Sequence, residues 1–408
     1  MIRLALALVC AFAAAAPAQQ LSFTPFHANG IYDIGEKAGW TVTQSAPAPA
    51  GKYAYVIKKN NADVVQTGTL DLSSGTATIE TTLSEPAMLY VEVATDPVIH
   101  LGAAIAPRRL QPSAPRPADF DSFWNAKLKA LSEVPINPQL TPLETTVADV
   151  ELYLVKLESL GSHVRGYLAK PAKPGKFPAL VMYQYAGVYA LRPETVTDRA
   201  AEGWLALDVD SHDLPPYEGT GVSSNYRAIG NTNRETCYFL NMYLRDARAL
   251  DYIASRPDWD GKTMVVTGTS MGGQQSLVAA GLSPRVTAVL VNEPAGADSN
   301  GDLHGHKAGY PNWPSDDPKV METALYFDTV NFASRIKAPV LAALGFIDTL
   351  APPTGIWIAV NQVPGAKEII GMVESDHNNI TPEKQGAWDS RSKEVLGLIL
   401  KGGEFKPN

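Results

Sequence analysis

Six short, mostly apolar runs mark the chain beyond residue 180: Leu180 to Tyr183, Trp204 to Asp208, Met264 to Gly268, Val286 to Val291, Val340 to Leu344 and Glu368 to Met372. Helix-period stretches lie among them at Tyr238 to Ala254 and Gly273 to Gly281, with a last one from Pro382 to Leu400. A strand without polar/apolar alternation is buried on both faces, and such strands separated by helices belong to a parallel sheet covered on either side. This part of the chain is therefore expected to be α/β, with a mostly parallel, doubly wound sheet.

Upstream the pattern differs. From Gly39 to about Ile105 short runs rich in Thr, Val, Tyr and Ile, such as Tyr53 to Ile57, Val64 to Leu70, Thr76 to Glu80 and Met88 to Val93, alternate with breaks at Gly, Pro and Asn. Their spacing and period of two predict a small antiparallel, immunoglobulin-like β-sandwich. Pro107, Pro112, Pro115 and Pro117 then mark a linker. The expected plan is an export signal over 1–18, a sandwich over 19–106, a Pro-rich linker over 107–117 and a catalytic unit over 118–408.

The export signal rests on Arg3, a 13-residue apolar run from Leu4 to Ala16, and Ala16-Pro17-Ala18 as a cleavage site. The run is shorter than the roughly 20 residues a membrane span needs, so secretion or periplasmic export is expected, with no membrane span. A lipid-attachment reading of Cys10 is disfavoured by Val9 before it. With Cys10 removed, Cys237 is the remaining cysteine, and its apolar neighbours Tyr238, Phe239 and Leu240 mark it as a buried hydrophobe.

A chain of 408 residues with 45% hydrophobic and 19% charged side chains can bury a large core, which excludes disorder as its main state. Thirty-four Lys and Arg against 42 Asp and Glu give a net charge of -8 with no basic run, so nucleic acid is not an expected partner. Charge selects neither a substrate nor an oligomeric state.

Chemistry is concentrated at Gly268-Thr269-Ser270-Met271-Gly272, which directly follows one strand run and precedes a helical one. A serine on so tight a strand-to-helix turn is presented at the sheet edge, and glycines on either side relieve the crowding. The five-residue pattern is weak by itself, and a structural serine in a Gly-rich turn is the bland alternative. Its context makes Ser270 the nucleophile candidate. A hydroxyl needs a base, and the base needs a carboxylate to fix its tautomer. In strand-turn-helix hydrolases the chain order is Ser, acid, His. His377 precedes the last helix, and Asp348, after the run ending at Leu344, lies 78 residues beyond Ser270 and 29 before His377. Glu293, after the run ending at Val291, is the rival acid. Asp376 adjoins His377 and points away from it in most backbone geometries, while Asp208 and Asp210 precede the serine. Donors for an oxyanion are expected from the backbone N–H of Met271 and from the loop Gln184-Tyr185-Ala186-Gly187, where the residues leave Tyr185 and Ala186 both open.

Other histidines fit this scheme less well. His27, His100 and His163 precede the serine and read as surface or core residues. His304 and His306, near Asp298 and Asp302, could suggest a metal pair, yet no accompanying ligand spacing supports one, and a polar loop over the active site is the expectation. His212, after the run ending at Asp208, is placed at the functional edge of the sheet, where it either touches substrate, supports residues that do, or is merely structural. No metal and no cofactor are expected.

From about residue 115 onward the chain resembles the acetyl xylan esterase and cephalosporin C deacetylase family of α/β hydrolases. The resemblance is carried by Arg116-Pro117-Ala118-Asp119-Phe120-Asp121-Ser122-Phe123-Trp124, by Gly268 to Gly273, by Arg335-Ile336-Lys337-Ala338-Pro339-Val340 and by Gly345-Phe346-Ile347-Asp348-Thr349-Leu350-Ala351-Pro352-Pro353. It implies Ser270 as nucleophile, Asp348 as acid, His377 as base and the Ala186 backbone as the second oxyanion donor, with an acetylated carbohydrate as substrate. Two departures stand out. Met271 replaces the family's Gln after the nucleophile, and Asp210-Ser211-His212-Asp213 stands where the family has Arg-Gly-Gln, a motif that braces the catalytic histidine. Taken with the ordered triad and the export signal, the resemblance implies a divergent branch, with an added N-terminal β-unit, that deacetylates plant polysaccharide. A hydrolase of the same fold acting on other esters or on peptides is the alternative, and an inactive carbohydrate-binding protein is the alternative from another class.

Overall fold

In a computed structural model, which describes residues 21–44 and 51–408, the described residues before Ala106 form strands and turns. The predicted export signal, Cys10 included, lies outside the described residues. Strands β1 (Leu21–Pro25), β2 (Ile31–Tyr32), β3 (Ala38–Gln44), β4 (Lys52–Lys59), β5 (Asp63–Asp71), β6 (Thr76–Thr81), β7 (Ala87–Val93) and β8 (Ile99–Ile105) make two sheets, ordered β1-β3-β6 and β2-β8-β7-β4-β5. Pairing is antiparallel except for the two-residue β2, which runs parallel to β8. Period-two alternation turns Trp40 and Val42 of β3 inward, where they join Ile57, Leu70, Ile79, Leu89 and Val91 in one apolar cluster. The four runs singled out above all fall in strands.

Pro107–Arg109 form a single 3-10 turn, and the Pro-rich linker is tied to the second unit. Asn361 Nδ2 donates to the carbonyls of Pro107 at 2.9 Å and Leu110 at 3.2 Å. Ser113 donates to Asp298 through its backbone N–H at 2.9 Å and its hydroxyl at 2.6 Å. The prolines stiffen a strap that side chains of the second unit pin down.

That unit begins with α1 (Phe120–Ser132) and continues β9 (Gln139–Leu143), β10 (Val150–Ser159), β11 (Ser162–Pro171), β12 (Phe177–Tyr183), α2 (Glu194–Glu202), β13 (Leu205–Val209), α3 (Tyr238–Ser255), β14 (Trp259–Thr269), α4 (Met271–Leu282) and β15 (Ala288–Asn292). It ends with α5 (Pro318–Ala324), α6 (Thr329–Ala333), β16 (Val340–Gly345), α7 (Pro353–Asn361), β17 (Lys367–Met372) and α8 (Pro382–Leu400). The nine strands form one sheet in the order β17-β16-β15-β14-β12-β13-β11-β10-β9. From β13 to β17 every pair is parallel, as the apolar runs predict, whereas β9, β10 and β11 add an antiparallel edge. Helices cover both faces, so this unit is a mostly parallel, doubly wound α/β sheet preceded by an N-terminal antiparallel β region. Among the helices, α4 and the short α6 are buried along their whole length.

The two units meet at Phe346, directly after β16. A Cβ on Gly102 of β8 would fall 2.6 Å from the Phe346 Cβ, and one on Gly30 would fall 2.9 Å from its ring. Glycine is what lets the N-terminal sheet approach so closely.

Candidate active site

β14 ends at Thr269 and α4 starts at Met271, so Ser270 is the entire turn between them. Its backbone holds φ 57° and ψ -122°, a conformation costing a side-chain-bearing residue roughly 1–3 kcal/mol. The surrounding residues over-determine it. The Ser270 N–H donates to the Asn292 carbonyl at 3.0 Å, and the Ser270 carbonyl accepts from Gln274 at 2.9 Å and Ala295 at 3.0 Å. A Cβ on Gly268 would stand 2.4 Å from the Gly272 carbonyl carbon, and one on Gly272 would stand 2.2 Å from the Tyr183 oxygen. Both glycines are therefore demanded by packing at the elbow.

His377 bridges Ser270 and Asp348. Its Nε2 lies 2.8 Å from Ser270 Oγ and its Nδ1 lies 2.7 Å from Asp348 Oδ2. A carboxylate oxygen can only accept here, so Nδ1 carries the proton and Nε2 is free to take one from the serine hydroxyl. Asp348 is buried, and its other oxygen accepts the backbone N–H groups of Leu350 and Ala351, each at 2.8 Å. Burial pulls the His377 imidazole down, but the hydrogen bond and charge of Asp348 outweigh it and hold the ring above the ordinary histidine value. Glu293 stands on the same side of the ring, with Oε2 3.9 Å from Nδ1. Burial, and then the Asp348 charge, push Glu293 up to about 7.

A cavity of about 590 Å³ opens over Ser270 and His377. Tyr185, Ala186, Tyr226, Tyr310, Leu350 and Ile380 are among its walls. Tyr226 and Tyr310 share a hydroxyl-to-hydroxyl hydrogen bond of 2.8 Å above the Met271 sulfur. The Gly187 N–H donates to Tyr226 Oη at 3.3 Å, which leaves the Tyr185 and Ala186 amides as the loop's candidates for facing an oxyanion. Met271 opens α4, so its N–H is among the helix's first-turn donors, with no carbonyl of its own helix to bond. Tyr185 is 55% exposed and stacks on Tyr189 with centroids 4.5 Å apart.

His212 is buried and sits behind the loop rather than in the cavity. Its Nε2 donates to the Gly187 carbonyl at 2.8 Å, and its Nδ1 therefore accepts from Tyr238 Oη at 2.9 Å, the arrangement of a neutral ring. Burial lowers it to about 4, which keeps it neutral. Beside it, Gln275 Nε2 donates to the Gln184 carbonyl at 2.9 Å, Ser211 Oγ donates to Gln275 Oε1 at 2.9 Å, and the Ser211 N–H reaches Gln184 Oε1 at 3.0 Å. Arg245 closes the network on the Ser211 carbonyl. Thus the Asp210 to Asp213 segment supports the Gln184 to Gly187 loop, not His377. Sequence reasoning placed Gln184 in the oxyanion loop but missed Gln275 that braces it, although a Gln pair in the otherwise apolar and small α4 was a visible signal.

His304 is exposed, and His306 accompanies Ser113 and Asp298, at 3.0 and 2.9 Å, away from the cavity. These two residues neither cover the active site, as expected of the loop, nor gather metal ligands. Among the described residues, the grouping with metal-ligand side chains is Glu293, Asp348 and His377, which hydrogen bonding within the site already accounts for. Among the described residues, no helix is long and apolar enough to cross a membrane.

The family described as Acetyl xylan esterase (AXE1) matches residues 108–300 and 309–391. The chain is 32% identical over 376 residues to the acetyl esterase Axe7A of Xylanibacter ruminicola, covering 86% of this chain and 85% of that one. The solved acetyl xylan esterase from Paenibacillus sp. R4 superposes with a TM-score of 0.62 at 25% identity, over 73% of this chain and 98% of its own. Acetyl xylan esterase 1 from Thermoanaerobacterium sp. JW/SL YS485 shares the fold, with a TM-score of 0.61 at 24% identity over 72% of this chain and 97% of its own.

Proposed function

The chain belongs to the acetyl xylan esterase family and is a carboxylic ester hydrolase, and on that premise we propose that it is an exported serine esterase that removes acetyl groups from plant polysaccharide or its oligosaccharides. The observation that carries the mechanism is His377 reaching Ser270 at 2.8 Å and Asp348 at 2.7 Å at once. Ser270 Oγ attacks the acetyl carbonyl while its proton passes to His377 Nε2. The oxygen of the tetrahedral intermediate takes up negative charge and is met by the N–H groups of Met271 and Ala186, donors each worth about 10²-fold or more in rate. Collapse breaks the bond to the sugar oxygen, which leaves with the proton held by His377, and the acetyl group remains on Ser270. Water then repeats the sequence with His377 as base, releasing acetate and restoring the hydroxyl.

Tyr185 supports a carbohydrate at the cavity mouth. Its exposed ring, kept in place by Tyr189, offers a flat apolar face of the kind a pyranose ring covers. The N-terminal sheets serve the site as a support: Gly30 and Gly102 seat Phe346, two residues before Asp348. Export is supported by the charged start, apolar run and Ala16-Pro17-Ala18 of the first 18 residues.

The reading is tested with a panel of 4-nitrophenyl esters of rising chain length, the corresponding 4-nitroanilides and an organophosphonate probe. Acetate should be the preferred acyl group and Ser270 the labelled residue. A preference for long chains or amides would favour the other hydrolase reading, and an unlabelled Ser270 would indicate an inactive site.

A further inference from the structure

Glu293 follows β15, the strand lying between β14, which delivers Ser270, and β16, which delivers Asp348. The polypeptide therefore brings it to the same edge of the sheet as both. It holds φ 45° without being glycine, and its N–H is tied to the Ala343 carbonyl at 2.8 Å. A left-handed backbone is unfavourable for a residue with a side chain, and here it aims a carboxylate into the protein, where Glu293 is 0% exposed.

The two oxygens of that carboxylate are treated differently. Oε1 accepts Gln385 Nε2 at 3.0 Å and Ser375 Oγ at 3.2 Å, and Gln385 is itself fixed by Asn292 Nδ2 at 3.0 Å. Among the described residues Oε2 has no hydrogen-bond partner, and it faces His377 Nδ1 at 3.9 Å. Leaving a buried carboxylate oxygen unpaired is costly, so its position beside the one ring nitrogen that carries a proton calls for a reason. Asp376, the other carboxylate near the ring, is turned away onto the Asn378 and Asn379 amides at 3.0 and 2.6 Å and onto Lys384 at 3.3 Å.

We propose that Glu293 is a second positioning carboxylate of this site, sharing the Nδ1 side of His377 with Asp348 and becoming the partner of that nitrogen when Asp348 is removed. The inference rests on the serine esterase reading above. Asp348, at 2.7 Å, is the partner in the intact protein. Its charge is also one reason that Glu293 keeps its proton up to about pH 7, second only to burial. Without Asp348 that repulsion disappears, Glu293 ionises more readily, and closing a gap of roughly 1 Å brings Oε2 into hydrogen-bond range.

The test is kcat/KM on 4-nitrophenyl acetate for the full chain and for Glu293→Gln, Asp348→Ala, the double variant and Ser270→Ala, with Tm measured for each. Glu293→Gln should cost no more than about 3-fold alone and a further 10-fold or more in the Asp348→Ala background, the non-additivity expected of groups acting on one ring. The same factor in both backgrounds overturns the proposal. An active Ser270→Ala would instead overturn the esterase reading, so the two failures are distinct. Should Glu293→Gln not fold, the proton NMR spectrum of Asp348→Ala decides by itself. A far-downfield Nδ1–H resonance at low pH shows that a carboxylate has taken over, and its absence overturns the proposal.

Discussion

Truncating Phe346 to Ala removes the side chain on which the two units meet. Phe346 is 1% exposed, and a Cβ on Gly30 or Gly371 would come within 2.9 or 2.7 Å of its ring. Phe to Ala in a closed core costs about 3–5 kcal/mol, which for a unit of this size lowers Tm by roughly 5–15 °C. Support of the site requires more than lost stability. The Phe346 N–H donates to the Met372 carbonyl at 3.0 Å and the Ile347 N–H to the Ser375 carbonyl at 3.3 Å, so this segment sets both the Asp348 turn and the loop leading to His377. A displacement of about 1 Å there is expected to lower kcat by roughly 10²-fold. The assay is steady-state hydrolysis of 4-nitrophenyl acetate well below Tm, with kcat and KM separated. Val42→Ala, in the sandwich cluster, is the control: it should lower Tm and leave kcat alone. A Phe346→Ala protein with lowered Tm and kcat within about twofold of wild type would refute the claim that the N-terminal sheets position the acid, since a 1 Å shift should cost far more.

Because the base must be neutral and His377 is held above its ordinary value, kcat/KM should rise with pH along a limb centred above 6.5; a limb below that value would contradict the ion pair with Asp348. Asp208, raised to about 8 by burial and by Asp210, keeps its proton in the fold and loses it on unfolding, so between about pH 4 and 8 its contribution falls as pH rises. Asp208→Asn should therefore flatten the decline of Tm between pH 5 and 8, and an unchanged slope would refute that. His212→Phe removes the donor to the Gly187 carbonyl and should lower kcat about tenfold or more with little change in KM. An unchanged kcat in a folded protein would show that the loop needs no such brace.

The parallel strands were legible because burial on both faces leaves little room for polar residues, and Leu180 to Tyr183 or Val340 to Leu344 can be little else. β10 escaped notice because it interleaves Glu151, Tyr153 and Lys156 with Val150, Leu152 and Val155, a weaker pattern outside the run of apolar segments. What holds the Pro-rich linker was illegible for a similar reason: composition reports stiffness, while the clamps from Asn361 and Asp298 come from residues about 185 positions away or more. At the site, chain order admitted both Asp348 and Glu293, the family segment around Asp348 favoured that residue, and the geometry places Asp348 at 2.7 Å and Glu293 at 3.9 Å from the same nitrogen. Order could not show that both would be present together. Nor could it show His212 facing the loop instead of the cavity, since that depends on where Tyr238 and Gly187 fall in space.

Acetate release from acetylated xylan and acetylated xylo-oligosaccharides, measured on the purified chain beside Ser270→Ala, tests the central claim most directly. The account predicts release by the wild-type protein and loss of that activity when the serine hydroxyl is absent. Equal release by Ser270→Ala, or none by either protein, would contradict it.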